Sequence, residues 1–202
     1  MTPKAIVFDL GKVLLDFDYG IAVRRLLPRV SAGLAKVQQW LGASPVLLDY
    51  EAGRLSTPEF YGRIRDELGY AGTLEEFAAA FGSIFTEIPP MVALHAAVRV
   101  RGFRTYIFSN TNELAVRHVR AQFPFFANFD GYIYSFEQRA MKPAPAIYEA
   151  LERLAGLRDA ELFYLDDRPE NVIAGRARGW QGVVHETPER SRAALRQAGV
   201  LD

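Results

Sequence analysis

The chain has 202 residues, 50% hydrophobic and 24% charged, an ordinary globular mixture that excludes disordered and fibrous classes. Lys plus Arg (24) equals Asp plus Glu (24), so there is no broad basic field to attract nucleic acid. The absence of cysteine excludes disulfides, thiolate metal sites and cysteine nucleophiles, and suits a reducing cytoplasm.

The first element is the apolar run Lys4-Ala5-Ile6-Val7-Phe8, which stops at Asp9 and then Gly11 and so predicts a buried strand ending in a loop. Asp9 and Lys12 interrupt the apolar N-terminus, and no small-residue cleavage site follows. No stretch reaches the ~18 apolar residues of a membrane span, so a cytoplasmic protein without a membrane partner is expected. Residues 19–101 then show helical stretches near 20–29, 32–42, 44–52, 57–69, 74–85 and 91–101, and no strand. Ser56-Thr57-Pro58-Glu59 and Thr73-Leu74-Glu75-Glu76 both fit a capping box, in which hydroxyl and carboxylate satisfy the first amides of a helix. The stretch at 91–101 returns to the body, which leaves a helical insert over 16–89 between two parts of one core, 1–15 and 90–202. Strand character recurs at 104–108, 131–134, 161–165 and 182–184, with helices at 112–122, 145–156 and 169–179. Such alternation predicts an α/β fold with a mostly parallel sheet covered on both faces.

In an open parallel sheet, ligands gather outside the carboxyl ends of the strands. At those ends stand Asp9-Leu10-Gly11, Ser109-Asn110-Thr111-Asn112, Lys142-Pro143, and Asp166-Asp167-Arg168-Pro169-Glu170-Asn171. Each has a plain use when taken singly: Asp and Ser cap turns and helices, and most lysines are solvated. Together they form a set with distinct chemical jobs. Asp9 with Asp166 or Asp167 suits a hard divalent cation such as magnesium, which prefers carboxylate oxygens and leaves room for phosphate. A carboxylate oxygen of Asp9 is then placed to attack phosphorus and form an aspartyl-phosphate that water later hydrolyses. Ser109 and nearby backbone amides would bind the non-bridging oxygens, and Lys142 would neutralise charge.

Phe8-Asp9-Leu10-Gly11-Lys12-Val13-Leu14, Phe108-Ser109-Asn110-Thr111-Asn112, Met141-Lys142-Pro143 and Leu165-Asp166-Asp167-Arg168-Pro169-Glu170-Asn171 resemble the four motifs of the haloacid dehalogenase-like hydrolase superfamily, in its order. The closest likeness is to the branch that contains glucose-1-phosphate phosphatase. That resemblance implies a doubly wound, Rossmann-like sheet with a small all-helical cap inserted after the first strand. It implies Asp9 as nucleophile and metal ligand, the Gly11 carbonyl as a second ligand and Asp167 as the third, with Asp166 close by and Asn171 in support. Ser109 and Asn110 would bind phosphate and Lys142 would orient it.

Most phosphatases of this superfamily carry an acid two positions after the nucleophile, where this chain has Gly11. Proton-transfer help of that kind contributes about a hundred- to ten-thousand-fold, so a slower enzyme or a substitute group is expected. His95, His118 and His185 are candidates on chemistry alone. Lys12 stands where the branch often has Gly or Asn and is expected to face solvent. Asp18 reads as the cap of the helix behind it, and Asp16 is left outside the site. The insert's Trp40, Tyr50, Phe60, Tyr61, Phe77, Phe81 and Phe85 read mostly as core, and Arg139 and Arg168 as surface residues near the site. The expected activity is a Mg2+-dependent phosphomonoesterase acting on a small phosphorylated metabolite such as glucose-1-phosphate. Two alternatives stand beside it: a haloacid dehalogenase, and a weakly catalytic phospho-ligand-binding module suggested by Gly11.

Overall fold

The computed structural model describes residues 1–202 apart from the side chain of Ala43. Its first strand, β1 (Ala5–Phe8), is wholly buried. Successive residues enter two different cores, Ile6 and Phe8 on one face of the sheet and Ala5 and Val7 on the other. A strand covered on both sides has no polar face, which is why the run is continuously apolar rather than alternating.

The chain leaves this strand through β2 (Leu15–Phe17) and enters five helices: α1 (Tyr19–Leu26), α2 (Leu34–Ala43), α3 (Pro45–Glu51), α4 (Thr57–Leu68) and α5 (Leu74–Gly82). Asp18 caps α1 by accepting from the Gly20 amide, and the expected capping boxes open α4 and α5. The chain returns through β3 (Phe85–Glu87) to α6 (Pro89–Val100). Next come β4 (Arg104–Ser109), α7 (Glu113–Gln122), β5 (Gly131–Tyr134), the short α8 (Ser135–Gln138) and α9 (Pro145–Ala155). The last elements are β6 (Leu162–Asp166), α10 (Pro169–Ala177), β7 (Gln181–Val184) and α11 (Pro188–Gln197). Five strands form one sheet in the order β5-β4-β1-β6-β7, and every neighbouring pair is parallel. Helices α6, α7 and α11 cover one face of it and α9 the other. Central β1 therefore has β4 and β6 on its two sides, and the carboxyl ends of all three open together.

The expected helix over 74–85 stops at Gly82, and Phe85–Glu87 pairs antiparallel with Leu15–Phe17 instead. This two-stranded ribbon joins the insert to the sheet. Three residues per strand are too few to show a period of two, so neither was visible as a pattern. Helices α8 and α11 were not anticipated either. The Thr187 cap and Pro188 at the first turn are the start signals of α11. Among the described residues, no helix is long and apolar enough to cross a membrane.

The insert has its own core, built on Trp40, Tyr50, Phe60, Phe77 and Phe81, with Leu114 of α7 reaching into it. Phe60 is at its centre, stacked on Tyr50 at 4.2 Å between ring centroids. Phe60→Ala is expected to cost about 3–5 kcal/mol by leaving a cavity, read as a fall in the urea midpoint. Polar contacts latch the insert to the sheet domain. Tyr50 Oη lies 2.7 Å from Thr57 Oγ1 and accepts from the Leu114 amide at 3.2 Å, while Thr57 also bonds the Glu113 carboxylate. Ser135 Oγ accepts from the Thr111 amide at 2.9 Å and donates to the Glu51 carbonyl at 2.6 Å. Gly53 has φ +67°, and a Cβ there would come 2.1 Å from the Phe136 carbonyl oxygen, so only glycine permits this approach of insert to core.

Candidate active site

Asp9 follows β1 directly. Its amide donates to the Leu165 carbonyl at 2.8 Å, and its Oδ1 accepts from the Leu10 amide at 2.7 Å. Asp166 is the last residue of β6, hydrogen-bonded neighbour of β1, and Asp167 comes next. Asp9, Asp166 and Asp167 each offer an oxygen within 4.8 Å of the others.

Lys142 holds this acidic centre together. Buried to 5% exposure, its Nζ reaches Asp9 Oδ1 at 3.0 Å and donates to Asp166 Oδ2 at 2.7 Å and the Phe108 carbonyl at 2.8 Å. Burial opposes its charge, but Asp9 and Asp166 outweigh that and hold the ammonium above its usual range. Burial also raises Asp166, yet Lys142, Tyr164 and the Arg168 amide together bring it below the usual carboxylate range. Asp9 ends on the other side: burial pushes it up to about 7 against the pull of Lys142, with Asp166 adding to the rise. Asp167 is raised by burial and then by Asp166. A centre that lifts two carboxylates while pinning a third has the electrostatics of a cation site, because a divalent ion would reverse both rises.

The two adjacent acids have different surroundings. Asp166 is fully buried and accepts from Lys142, Tyr164 Oη, the Arg168 amide at 2.8 Å, and Asn171 Nδ2 at 3.0 and 3.1 Å. Asp167 instead lines an open cleft of ≈ 430 Å³ together with Asp9, Gly11, Ser109, Asn110 and Lys142. Asn171 Oδ1 is buried beside Asp166 without a hydrogen-bond partner among the described residues. Asn110 lines the same cleft, and its side chain is bonded to the backbone of Lys142. Its Oδ1 accepts from the Lys142 amide at 2.8 Å and its Nδ2 donates to the Lys142 carbonyl at 3.0 Å, which fixes the lysine backbone.

At Gly11 a Cβ would stand 3.0 Å from Cε1 of Phe17, so a larger residue there would need the aromatic ring of β2 to give by a few tenths of an ångström. Lys12 has φ +59°, in the left-handed region that L side chains rarely adopt. Its ammonium pairs with Asp16 and lies 4.6 Å from the Phe17 ring centroid. The lysine is exposed, as expected, and also lines the mouth of the cleft.

None of the three histidines lines the cleft among the described residues. His95 stacks on Phe129 at 3.9 Å and pairs with Thr105 Oγ1 at 3.1 Å; burial lowers it to about 4. His118 packs against Phe85, and His185 Nδ1 lies 2.7 Å from Ser191 Oγ. Arg168 lines the cleft but pairs with Glu170 at 2.5 Å. The aromatics that reach the cleft are Phe17 and Tyr19, neither singled out from the sequence, and a side cavity of ≈ 80 Å³ adds Phe81 and Phe85.

Glu51 is the other residue that sequence reasoning missed. It ends α3 and lines both the cleft and the side cavity. No hydrogen bond or ion pair to its carboxylate is found among the described residues, and burial alone lifts it from the ordinary 4.5 to about 7. A carboxyl that holds its proton more tightly when folded makes stability fall as pH rises from 4.5 through about 7. Glu51→Gln is therefore expected to flatten that fall and recover up to ~3 kcal/mol above it, measured by urea unfolding across the window. Nothing in Asp49-Tyr50-Glu51-Ala52 marks this residue locally; its place depends on the latch between insert and core.

The haloacid dehalogenase-like hydrolase family model matches residues 3–179. A D-ribitol-5-phosphate phosphatase of Bacteroides thetaiotaomicron is 26% identical over 189 residues, covering 88% of this chain and 89% of that protein. A sesquiterpene phosphatase of Aspergillus oryzae is 25% identical over 185 residues, covering 90% and 89%. Among solved structures, a Bacteroides thetaiotaomicron enzyme of the same family, in complex with magnesium and inorganic phosphate, superposes with TM-score 0.80 at 25% identity over 91% of this chain and 94% of its own. The L-2-haloacid dehalogenase of Xanthobacter autotrophicus shares the fold, with TM-score 0.65 at 21% identity, over 90% of this chain and 77% of its own.

Proposed function

This chain belongs to the haloacid dehalogenase-like hydrolases, and we propose that it is a Mg2+-dependent phosphomonoesterase for a small phosphorylated polyol or sugar, glucose-1-phosphate included. The observation that carries the reading is the grouping of Asp9, Asp166 and Asp167 within 4.8 Å, bridged by a buried lysine, at the open end of the sheet. Such hard oxygen donors suit magnesium, and the unpartnered Asn171 Oδ1 nearby is a further oxygen for it or its water shell. Asp9, Asp167 and the Gly11 carbonyl would hold the ion. Asp166, its oxygens already occupied, would act by fixing Lys142. When bound, magnesium lowers the repulsion between the phosphoryl group and the carboxylates and stabilises charge on its oxygens.

The protein's own groups then have separate tasks. The Leu10 amide and Lys142 fix Asp9 Oδ1 and so orient the carboxylate for in-line attack on phosphorus. Ser109 donates to a non-bridging oxygen, and Lys142, held in register by Asn110, stabilises the charge that grows there. Residues 16–89 serve as a cap that excludes water and selects the leaving group. A cleft of ≈ 430 Å³ is in the range of small-ligand pockets.

The relatives with matching coverage are named as phosphatases of a polyol phosphate and of a sesquiterpene phosphate, in line with a phosphate monoester as substrate. Attack on a halogenated carbon would leave the Asp9–Asp167 pair without a purpose, which places the dehalogenase second. A panel of sugar and polyol phosphates assayed with Mg2+ and with EDTA tests the reading. Phosphate release that needs Mg2+ is expected; undiminished turnover in EDTA, or halide release from haloacids without Mg2+, would contradict it.

A further inference from the structure

We propose that Glu51, carried by the cap, performs the proton transfers that Gly11 cannot. The assignment rests on the phosphatase reading above and extends it. Three observations carry it. First, Gly11 offers no side chain to serve as that acid, and the Phe17 ring packs tightly over it, 3.0 Å from where a Cβ would be. Second, Glu51 lines both the cleft that also contains Asp9 and Lys142 and the side cavity that contains Gly11 and Phe17. No cation or hydrogen-bond donor of the described protein engages it, unlike Asp166. An unpaired, half-buried carboxyl is costly to stability, and such groups concentrate where chemistry needs them.

Third, the segment is anchored. The Ser135 Oγ bond to the Glu51 carbonyl, at 2.6 Å, and the close approach of Gly53 to Phe136 tie this part of the cap to α8, directly after β5. A proton donor must keep its place relative to the reacting atoms, and these ties hold Glu51 to the domain that carries Asp9. Burial keeps a proton available on it near neutral pH, with a value of about 7. Its neighbour Tyr19 is held well above the usual phenol range by burial and by Glu51.

The proton balance closes. As Asp9 Oδ forms its bond to phosphorus, the ester P–O bond breaks and its electron pair stays on the leaving oxygen. That oxygen takes the proton of neutral Glu51 and departs as an alcohol. Glu51, now a carboxylate, takes a proton from water as the water oxygen attacks phosphorus and the Asp9–phosphorus bond breaks. Inorganic phosphate leaves, and both carboxyl groups return to their starting states.

The test compares an alkyl phosphate (glycerol phosphate) with an activated aryl phosphate (4-nitrophenyl phosphate) for wild type and Glu51→Gln, each with Mg2+. Gln preserves shape and removes a buried charge, and a urea midpoint at or above that of wild type verifies folding. With the alkyl ester, Glu51→Gln should lose about a hundred-fold or more in kcat. With the aryl ester, whose leaving group needs no proton, it should release one equivalent of nitrophenol in a burst and then turn over slowly, with phosphoenzyme accumulating. An unchanged kcat on the alkyl ester, a rise confined to KM, or equal losses on both esters without a burst would overturn the assignment while leaving the phosphatase reading in place. A wild type inert toward both esters would instead remove that reading, and this one with it.

Discussion

Asp9→Asn should lower kcat by roughly four orders of magnitude or more, as expected when the nucleophile of a covalent mechanism is removed. The loss should come without unfolding. Asn keeps an oxygen for the Leu10 amide, which lies 2.7 Å from Asp9 Oδ1. It also removes a carboxylate that burial already disfavours and that Asp166 further repels. Metal-free Asp9→Asn should therefore unfold at the same urea concentration as wild type or a higher one near pH 8. Activity and stability moving in opposite directions would identify Asp9 as a group retained for chemistry at some cost to the fold.

Lys142→Ala should fail in both respects. Removing the ammonium leaves Asp9 and Asp166 buried with no counter-charge, and breaking a buried pair in this way typically costs about 3–5 kcal/mol. Its loss should also lower kcat by about a hundred- to a thousand-fold, the usual effect of removing one preorganised donor to a developing oxyanion. Saturating Mg2+ should restore part of the stability, because the ion supplies positive charge to the same carboxylates, but little of the rate. Urea melts with Mg2+ and with EDTA, run beside initial rates, separate the two effects. A Lys142→Ala variant as stable as wild type in EDTA would mean that the acidic centre does not depend on this lysine.

The sheet was legible because β1 and β6 are covered on both faces and so are apolar at every position, a pattern that survives without tertiary information. The capping boxes at Ser56 and Thr73 were legible because they are local hydrogen-bond chemistry. The ribbon of Leu15–Phe17 with Phe85–Glu87 was not, since its partners are distant in sequence and too short for periodicity. The site divides along the same line. Asp9, Gly11, Ser109, Asn110, Lys142 and Asp167 stand at strand ends or in loops that the topology brings to one cleft, so sequence placed them together. The residue types alone left open which of Asp166 and Asp167 would serve a cation, and only the resemblance pointed to Asp167. The two are adjacent and chemically identical, and their partners separate the buried anchor of Lys142 from the acid that lines the cleft. The paired bonds of the Asn110 side chain to the Lys142 backbone likewise join residues distant in sequence, which no local pattern announces. Glu51 and Phe17 owe their positions to the seating of the cap, for which no local signal exists.

The most direct test of the covalent route is chemical trapping of its intermediate. Enzyme mixed with Mg2+ and a substrate phosphate, quenched in acid during turnover and reduced with borohydride, should carry the reduction at Asp9 alone, located by peptide mass spectrometry. The reduced product should be missing from Asp9→Asn and from samples quenched without substrate. Reduction at any other carboxylate, or none while phosphate is being released, would contradict an aspartyl-phosphate at Asp9.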